Sequence, residues 1–326
     1  MIDWTPFVEL VQRHQRFVVT THVRPDGDGL GSMLALGETL ERQGKKVHLV
    51  ISSVMPPRYQ FLNSGDKIRH YQTVADLKQV DAAVVLDTGT WNQLGEFGPV
   101  LRSLTVPKVV IDHHQTQDDM GATQLVDTTA EATGRLIFEA IQALAEPLSE
   151  RAANALFVAL AMDTGWFRHS NATATSFALA ADLVRAGANP EILYEHLFED
   201  NSLPRMKLMG LVLNRLQVTN QGRVAHTEVL RTDYAATGAV PPDSEDLVNF
   251  TRSVQGVEVG LLFMEQPRGG VKVSFRARDK VDVARVAEKF GGGGHRRASG
   301  ATLNVSLEEA KIKVLEALAA ALNSCG

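Results

Sequence analysis

Three apolar runs in this chain each lead into residues of metal-binding type, and that recurrence constrains the fold more than any other feature. Phe17-Val18-Val19 leads into His22-Val-Arg-Pro-Asp26-Gly-Asp28-Gly-Leu-Gly-Ser32, Ala82 to Leu86 ends in Asp87-Thr-Gly, and Val106 to Ile111 ends in Asp112-His113-His114. Short apolar runs alternating with helical patterns, such as Leu30 to Gln43 closed by Gly44, read as buried strands of a parallel α/β sheet. Ligands of open α/β sheets bind outside the carboxyl ends of the strands, so all three segments point to one place. An isolated Asp behind a strand is an ordinary turn former, and an isolated His-His pair is an ordinary surface feature. Neither explains the repetition.

The first of these turns packs His22, Asp26 and Asp28 into seven positions, with Gly27, Gly29 and Gly31 letting the backbone fold tightly. Ionised carboxylates repel one another and resist burial, so a divalent cation is the natural partner of such a cluster. A plainer reading makes Asp28 the N-cap of the following helix, with Ser32 beside it. A fourth segment weighs against that plainer reading. The amphipathic pattern Ser149 to Met162 ends in Asp163-Thr-Gly-Trp-Phe-Arg168-His169. Arg168 there reads as an ion-pair former, and His169 lies near Asp163 in sequence. Oxygen donors with a few imidazoles suit Mn²⁺ or Mg²⁺ better than zinc or copper.

At 326 residues the chain exceeds what one hydrophobic core usually organises, which makes two domains the expectation. A formal net charge of −5 and a pI near 6.1 argue against a long basic groove for polymeric nucleic acid. A few local arginines suffice for a short oligonucleotide or a mononucleotide. The single Cys325 excludes an intramolecular disulfide and a thiolate metal site. No leader pattern and no long apolar run is present, so the expected location is the cytoplasm, with no membrane partner. The sequence is compatible with a homodimer and does not fix the oligomeric state.

The expected architecture is an α/β parallel-sheet N-terminal domain over 1–187, a connection over 188–205, and a smaller mixed α/β C-terminal domain over 206–326, with a cleft between the domains. The second half carries alternating strand patterns at Arg223 to Val229, Val257 to Met264 and Val271 to Arg278, and an amphipathic helix from Ser306 to Leu322. Gly291 to Gly294, followed by His295-Arg296-Arg297, has the composition of a phosphate cradle, where backbone N–H groups approach an anion with a helix N-terminus behind them. Arg276 and Arg278 alternate along one strand face and can add bidentate contacts.

The ordered set His22-x3-Asp26-x-Asp28, Asp87, Asp112-His113-His114 and Asp163 resembles the four motifs of the DHH phosphoesterases, and Gly291-Gly-Gly-Gly-His295 resembles the signature of the DHH-associated domain. Within that family the chain is most similar to the NrnA type. The resemblance implies a binuclear manganese site, with two Mn²⁺, or Mg²⁺ in their stead. His22 and Asp26 would hold one ion, Asp28, His113 and Asp163 the other, and Asp87 would bridge them. Asp112 would orient His113, and His114 would face the substrate. Substrate binding would fall to Ser274, Arg276, Arg278, Gly292, Gly293, Gly294, His295 and Arg296. The implied substrates are short RNA oligonucleotides and 3′-phosphoadenosine 5′-phosphate. The alternatives are a phosphodiesterase of cyclic dinucleotides (c-di-AMP) or linear dinucleotides and, outside the enzymes, a nucleotide-sensing module.

Overall fold

The computed structural model describes residues 2–74, 77–278 and 280–323, the side chains of residues 78, 295 and 323 excepted. Cys325 lies outside the described residues. The chain divides into two compact units, Met1–Asp200 and Asn201–Gly326.

In the first unit, β1 (Arg16–Thr20), β2 (Lys46–Ile51), β3 (Ile68–His70), β4 (Ala82–Leu86), β5 (Lys108–Asp112) and β6 (Thr123–Val126) form one sheet in the order β3-β2-β1-β4-β5-β6. All of its pairings are parallel. Both faces are covered, which explains why these strands read as continuous apolar runs. Phe17, Val19, Val84, Leu86 and Ile111 enter one core, while Val18, Ala83, Val85 and Val110 enter another on the alternate face.

The helices of this unit are α1 (Thr5–Arg13), α2 (Gly27–Arg42), α3 (Phe97–Ser103), α4 (Thr133–Ala143), α5 (Glu150–Asp163), α6 (Ala174–Arg185) and α7 (Pro190–Tyr194). After β1, α2 brings Leu30, Met33 and Leu36 to the first core; after β4, α3 brings Phe97 and Leu101 to the second. The chain therefore leaves two adjacent strands toward opposite faces of the sheet. That is a topological switch point, and the carboxyl ends of β1 and β4 open on it. Tight helix contacts shape its wall: a Cβ on Gly31 would run into the Ala155 carbonyl oxygen, so α2 and α5 cross at a distance only glycine allows.

The stretch expected as a connection behaves differently. Through Asp200 it belongs to the first unit, because Ala188, Leu193 and Leu197 are buried in that unit's core. Leu193 and Leu197 lie four residues apart on the turn of α7 and its continuation, which gives the segment an apolar side.

The second unit contains β7 (Gln217–Thr219), β8 (Val224–Val229), β9 (Val259–Glu265), β10 (Val271–Ala277), β11 (Gly293–His295) and β12 (Ala298–Leu303), in the order β11-β12-β10-β9-β8-β7. β8 and β9 are parallel and the other pairings antiparallel, which makes a mixed sheet. Its helices are α8 (Leu203–Asn214), α9 (Arg231–Thr237), α10 (Val248–Ser253), α11 (Val283–Glu288) and α12 (Leu307–Asn323). α12 buries Ala310, Val314 and Leu318 against one sheet face, and α8 buries Leu208 and Val212 against the other. The fold class is the expected one, a parallel-sheet α/β unit followed by a smaller mixed-sheet unit. Among the described residues no helix is long and apolar enough to cross a membrane.

Candidate metal centre

The turn after β1 starts α2 two residues earlier than Asp28 would. Asp26, in an extended conformation, is the N-cap, and its Oδ1 accepts from the N–H groups of Asp28 (3.0 Å) and Gly29 (3.1 Å). The cap reading of Asp28 is thereby corrected: Asp26 caps the helix, and within α2 the Asp28 carboxylate accepts only the Ser32 hydroxyl (3.3 Å). Asp28 is instead buried against α4, where its two oxygens accept from Thr133 N–H (2.7 Å) and Gly134 N–H (2.8 Å). These are the first residues of α4, whose cap position is Ala132 and offers no side-chain acceptor. A carboxylate from another helix thus satisfies the exposed amides and meets the positive end of the α4 dipole.

Asp87 follows β4 in the left-handed region (φ 60°), which Asp tolerates better than most residues. Its Oδ1 accepts from the Thr133 hydroxyl at 2.9 Å and lies 3.6 Å from His113 Nε2, while its Oδ2 lies 3.3 Å from His22 Nε2. His113 Nε2 also stands 3.8 Å from Asp28 Oδ2 and 3.9 Å from Asp163 Oδ2. The donor atoms therefore gather into three overlapping groups: His22, Asp26 and Asp87; Asp28, His113 and Asp163; Asp87, His113 and His114. Within each group the atoms lie within 4.8 Å of one another.

Asp112 orients a different ring from the one expected. Its Oδ1 lies 2.8 Å from His114 Nδ1, and the ring of His113 is held instead by the Ala130 carbonyl, 3.2 Å from Nδ1. The reason is local. Asp112 Oδ1 also accepts the backbone N–H groups of His113 and His114, so the chain curls around the carboxylate and returns the side chain two residues on. Gln117 Nε2 holds the other oxygen at 2.6 Å. Arg168, expected in an ion pair, donates from Nε to the Gly165 carbonyl (2.7 Å), and the His169 ring lies over Gly165.

Sequence reasoning missed the stretch 130–134, which holds His113, Asp28 and Asp87 at once, and Asn171, whose Nδ2 donates to the carbonyls of Glu131 (3.2 Å) and Asp163 (3.3 Å). The one metal-type side chain among them, Glu131, is taken up by Arg135. The only available signal was Thr133-Gly134 at the head of an apolar helical pattern.

In the second unit, register places Ser274 opposite Gly300 and Arg276 opposite Ala298 on β12, with Gly293 and His295 of β11 next in the same two rows. The small residues Ala298 and Gly300 leave that strip of sheet face low. Arg276 is largely buried, its Nη1 donates to the Phe275 carbonyl (3.0 Å), and burial pulls its pKa below the ordinary value while Asp246 opposes that shift. Arg278 donates to the Arg252 carbonyl (3.3 Å). The glycine run does not start a helix: it forms the edge strand β11, and Arg296 and Arg297 make the turn into β12. A Cβ on Gly292 would meet the Gly300 carbonyl, so close strand approach is what requires glycine there. The side chain of His295 lies outside the described residues.

Residues 16–161 match the model described as "DHH family, N-terminal domain", and residues 223–324 match the "DHHA1 domain". The chain is 32% identical over 311 residues to a Thermus thermophilus protein named bifunctional oligoribonuclease and PAP phosphatase NrnA, spanning 94% of this chain and 90% of the relative. The chain belongs to the DHH family. Among solved structures, an exopolyphosphatase-related protein from Bacteroides fragilis has the same fold, with a TM-score of 0.91 and 24% identity over 97% of this chain and 95% of its own. An exonuclease RecJ bound to manganese matches with a TM-score of 0.54 and 16% identity, over 98% and 95% of the two chains.

The electrostatics of this DHH protein test whether its residues fit divalent cations. Burial drives the Asp28 carboxyl well above the carboxylate range, and Asp87, Asp163 and Asp26 push it further. Burial likewise lifts Asp163 to about 6, against the pull of His113, with Asp87 adding to the rise. Burial alone would depress His22, but Asp26 and Asp87 outweigh it and push the imidazole up to about 11. His114, hydrogen-bonded to Asp112, is pushed up to about 8. Without a cation, then, the cluster draws protons into the positions a cation would neutralise. The donors fit hard divalent ions.

A sign follows for stability. Asp28, Asp163, His22 and His114 all bind protons more tightly folded than unfolded, so the metal-free fold loses stability as pH rises. Asp163 contributes between its ordinary 3.8 and about 6, and His114 between 6.5 and about 8. The melting temperature of chelator-treated protein should fall from about pH 5 to about pH 8, and Mn²⁺ should restore it most at the upper end. A metal-free profile that stays flat or climbs across that range would contradict the electrostatic picture.

Proposed function

We propose that this protein is a divalent-metal phosphoesterase that degrades short oligoribonucleotides to mononucleotides and releases phosphate from 3′-phosphoadenosine 5′-phosphate, working in the cytoplasm. The observation that carries the reading is the pair of donor groups meeting at Asp87, whose two oxygens face His22 and His113 separately. The name of the Thermus relative supports the substrate class. In this reading His22 and Asp26 hold one ion, Asp28, His113 and Asp163 the other, and Asp87 serves both. Mn²⁺ is the preferred ion, with Mg²⁺ as substitute. Bound ions neutralise phosphoryl oxygens and lower the pKa of water. His114 gives its proton to the leaving oxygen, and Asp112 keeps that ring oriented.

The remote part of the substrate needs cations that the acidic cluster cannot supply. Arg276, Ser274, Arg278, Arg296 and His295, with Gly292, Gly293 and Gly294 at the sheet edge, take that role, although the Gly292 N–H itself is given to the Ala287 carbonyl (3.0 Å). Edge strands offer unpaired N–H groups, which suits an anion.

Rates on RNA from dinucleotide to about ten residues, and phosphate release from 3′-phosphoadenosine 5′-phosphate, test the reading. Turnover should be fastest on the shortest RNAs. Rates that do not fall with length, or no phosphate release, would overturn the substrate assignment. Arg276→Ala should lower kcat/KM on the dinucleotide by about ten- to a hundred-fold, the worth of a charge-assisted contact of about 1.5–3 kcal/mol. A bare aryl phosphoester has no remote group to hold, so its hydrolysis should hardly change. Equal losses on both substrates would remove Arg276 from the remote subsite.

A further inference from the structure

The two donor groups differ in how they are supported. His22 takes its ring bond from its own turn, Nδ1 lying 2.9 Å from the Val23 carbonyl, and Asp26 caps its own helix. The other group rests chiefly on one distant stretch, with the Ser32 hydroxyl of α2 adding one contact to Asp28 (3.3 Å). The Ala130 carbonyl holds His113, Thr133 N–H and Gly134 N–H hold Asp28, and the Thr133 hydroxyl holds Asp87 through Oδ1, the oxygen that faces His113. Thr133 is fully buried. The stretch is itself pinned: buried Glu131 pairs with Arg135 through both oxygens (2.5 and 3.0 Å), and Asn171 ties Glu131 to Asp163, the remaining donor.

We propose that the Thr133 hydroxyl is a positioning group for the metal site built from Asp28, His113 and Asp163, setting the affinity of that site while leaving the His22 and Asp26 site nearly untouched. The inference rests on the binuclear reading above. The hydroxyl occupies one lone pair of Asp87 Oδ1 and so fixes the direction in which the other faces His113. Groups that orient metal ligands in this way commonly change affinity by about 10–100-fold when removed.

Calorimetric titration of the full-length protein with Mn²⁺ alone tests this, with circular dichroism to confirm folding. Wild type should bind two ions; fewer than two would fail the binuclear reading itself, whatever the variants do. Thr133→Val, which removes the hydroxyl and keeps the shape, should bind one ion normally and the other about 10–100-fold more weakly. Thr133→Ser should bind both as wild type does, and Thr133→Ala replaces the valine variant should that one fail to fold. Two unchanged affinities in Thr133→Val, equal weakening of both sites, or a serine variant as weak as the valine one would each overturn the proposal. Adding Thr133→Val to Asp163→Asn should leave the surviving ion's affinity unchanged; its loss would place the effect at the wrong site.

Discussion

Asp87→Ala should cut hydrolysis by about three orders of magnitude or more while the protein stays folded. Among the described residues Asp87 is the one carboxylate within reach of both His22 and His113, and it sits between groups that also contain Asp26, Asp28 and Asp163. Two cations held by those groups repel, and a shared anion offsets the repulsion; without it the pair binds weakly or one ion leaves. Folding survives because the change removes a buried charge that raises the pKa values of Asp28 and Asp163, so repulsion inside the unit falls. Asp87→Asn is the companion variant, since Asn accepts the left-handed backbone at φ 60°. Turnover of a dinucleotide, Mn²⁺ stoichiometry and thermal melting check the prediction together. A folded Asp87→Ala protein with near-normal hydrolysis would sink the binuclear reading.

The strand ends at His22, Asp87 and Asp112 were legible because a parallel sheet covered on both faces writes its strands as apolar runs, and each run stops where the sheet meets solvent. Asp163 was legible for a related reason: it ends α5, whose apolar spacing is regular. The support beneath these residues was not legible. Capping of α4 by Asp28 joins residues 105 positions apart, and the local cap position, Ala132, shows no sequence signal. The partner of Asp112 was misread because the choice between His113 and His114 depends on how the chain curls around one carboxylate oxygen. Polyglycine has the same composition in a phosphate loop and in an edge strand, so the run 291–294 could not announce β11. Leu193 and Leu197 carried the apolar spacing that ties the segment to the first core, but two prolines nearby made it read as a connection.

The reassignment of Asp112 sharpens the prediction for His114, whose replacement by alanine should lower kcat by about 10²–10⁴-fold with both metals still bound. His114 belongs to one of the donor groups, so a ligand role has to be weighed. Its approach to Asp87 is through Nδ1, at 3.8 Å, and that nitrogen is already engaged 2.8 Å from Asp112. Asp112 in turn is held ionised: burial raises its pKa, but His114 and Gln117 more than reverse the shift. The ring is thus fixed with Nδ1–H beside the carboxylate, and because Asp112 pushes its pKa up to about 8 it carries a second proton on Nε2 at neutral pH; half of the side chain remains exposed, which leaves that Nε2–H for the leaving oxygen. His113 shows the opposite pattern, with Nδ1 on a backbone carbonyl and Nε2 turned toward three carboxylates in a nearly buried ring. If that division holds, His114→Ala loses rate and keeps its metal, whereas His113→Ala loses an ion. Elemental analysis beside single-turnover rates decides between them. One metal equivalent missing from folded His114→Ala would show that the two histidines carry each other's roles.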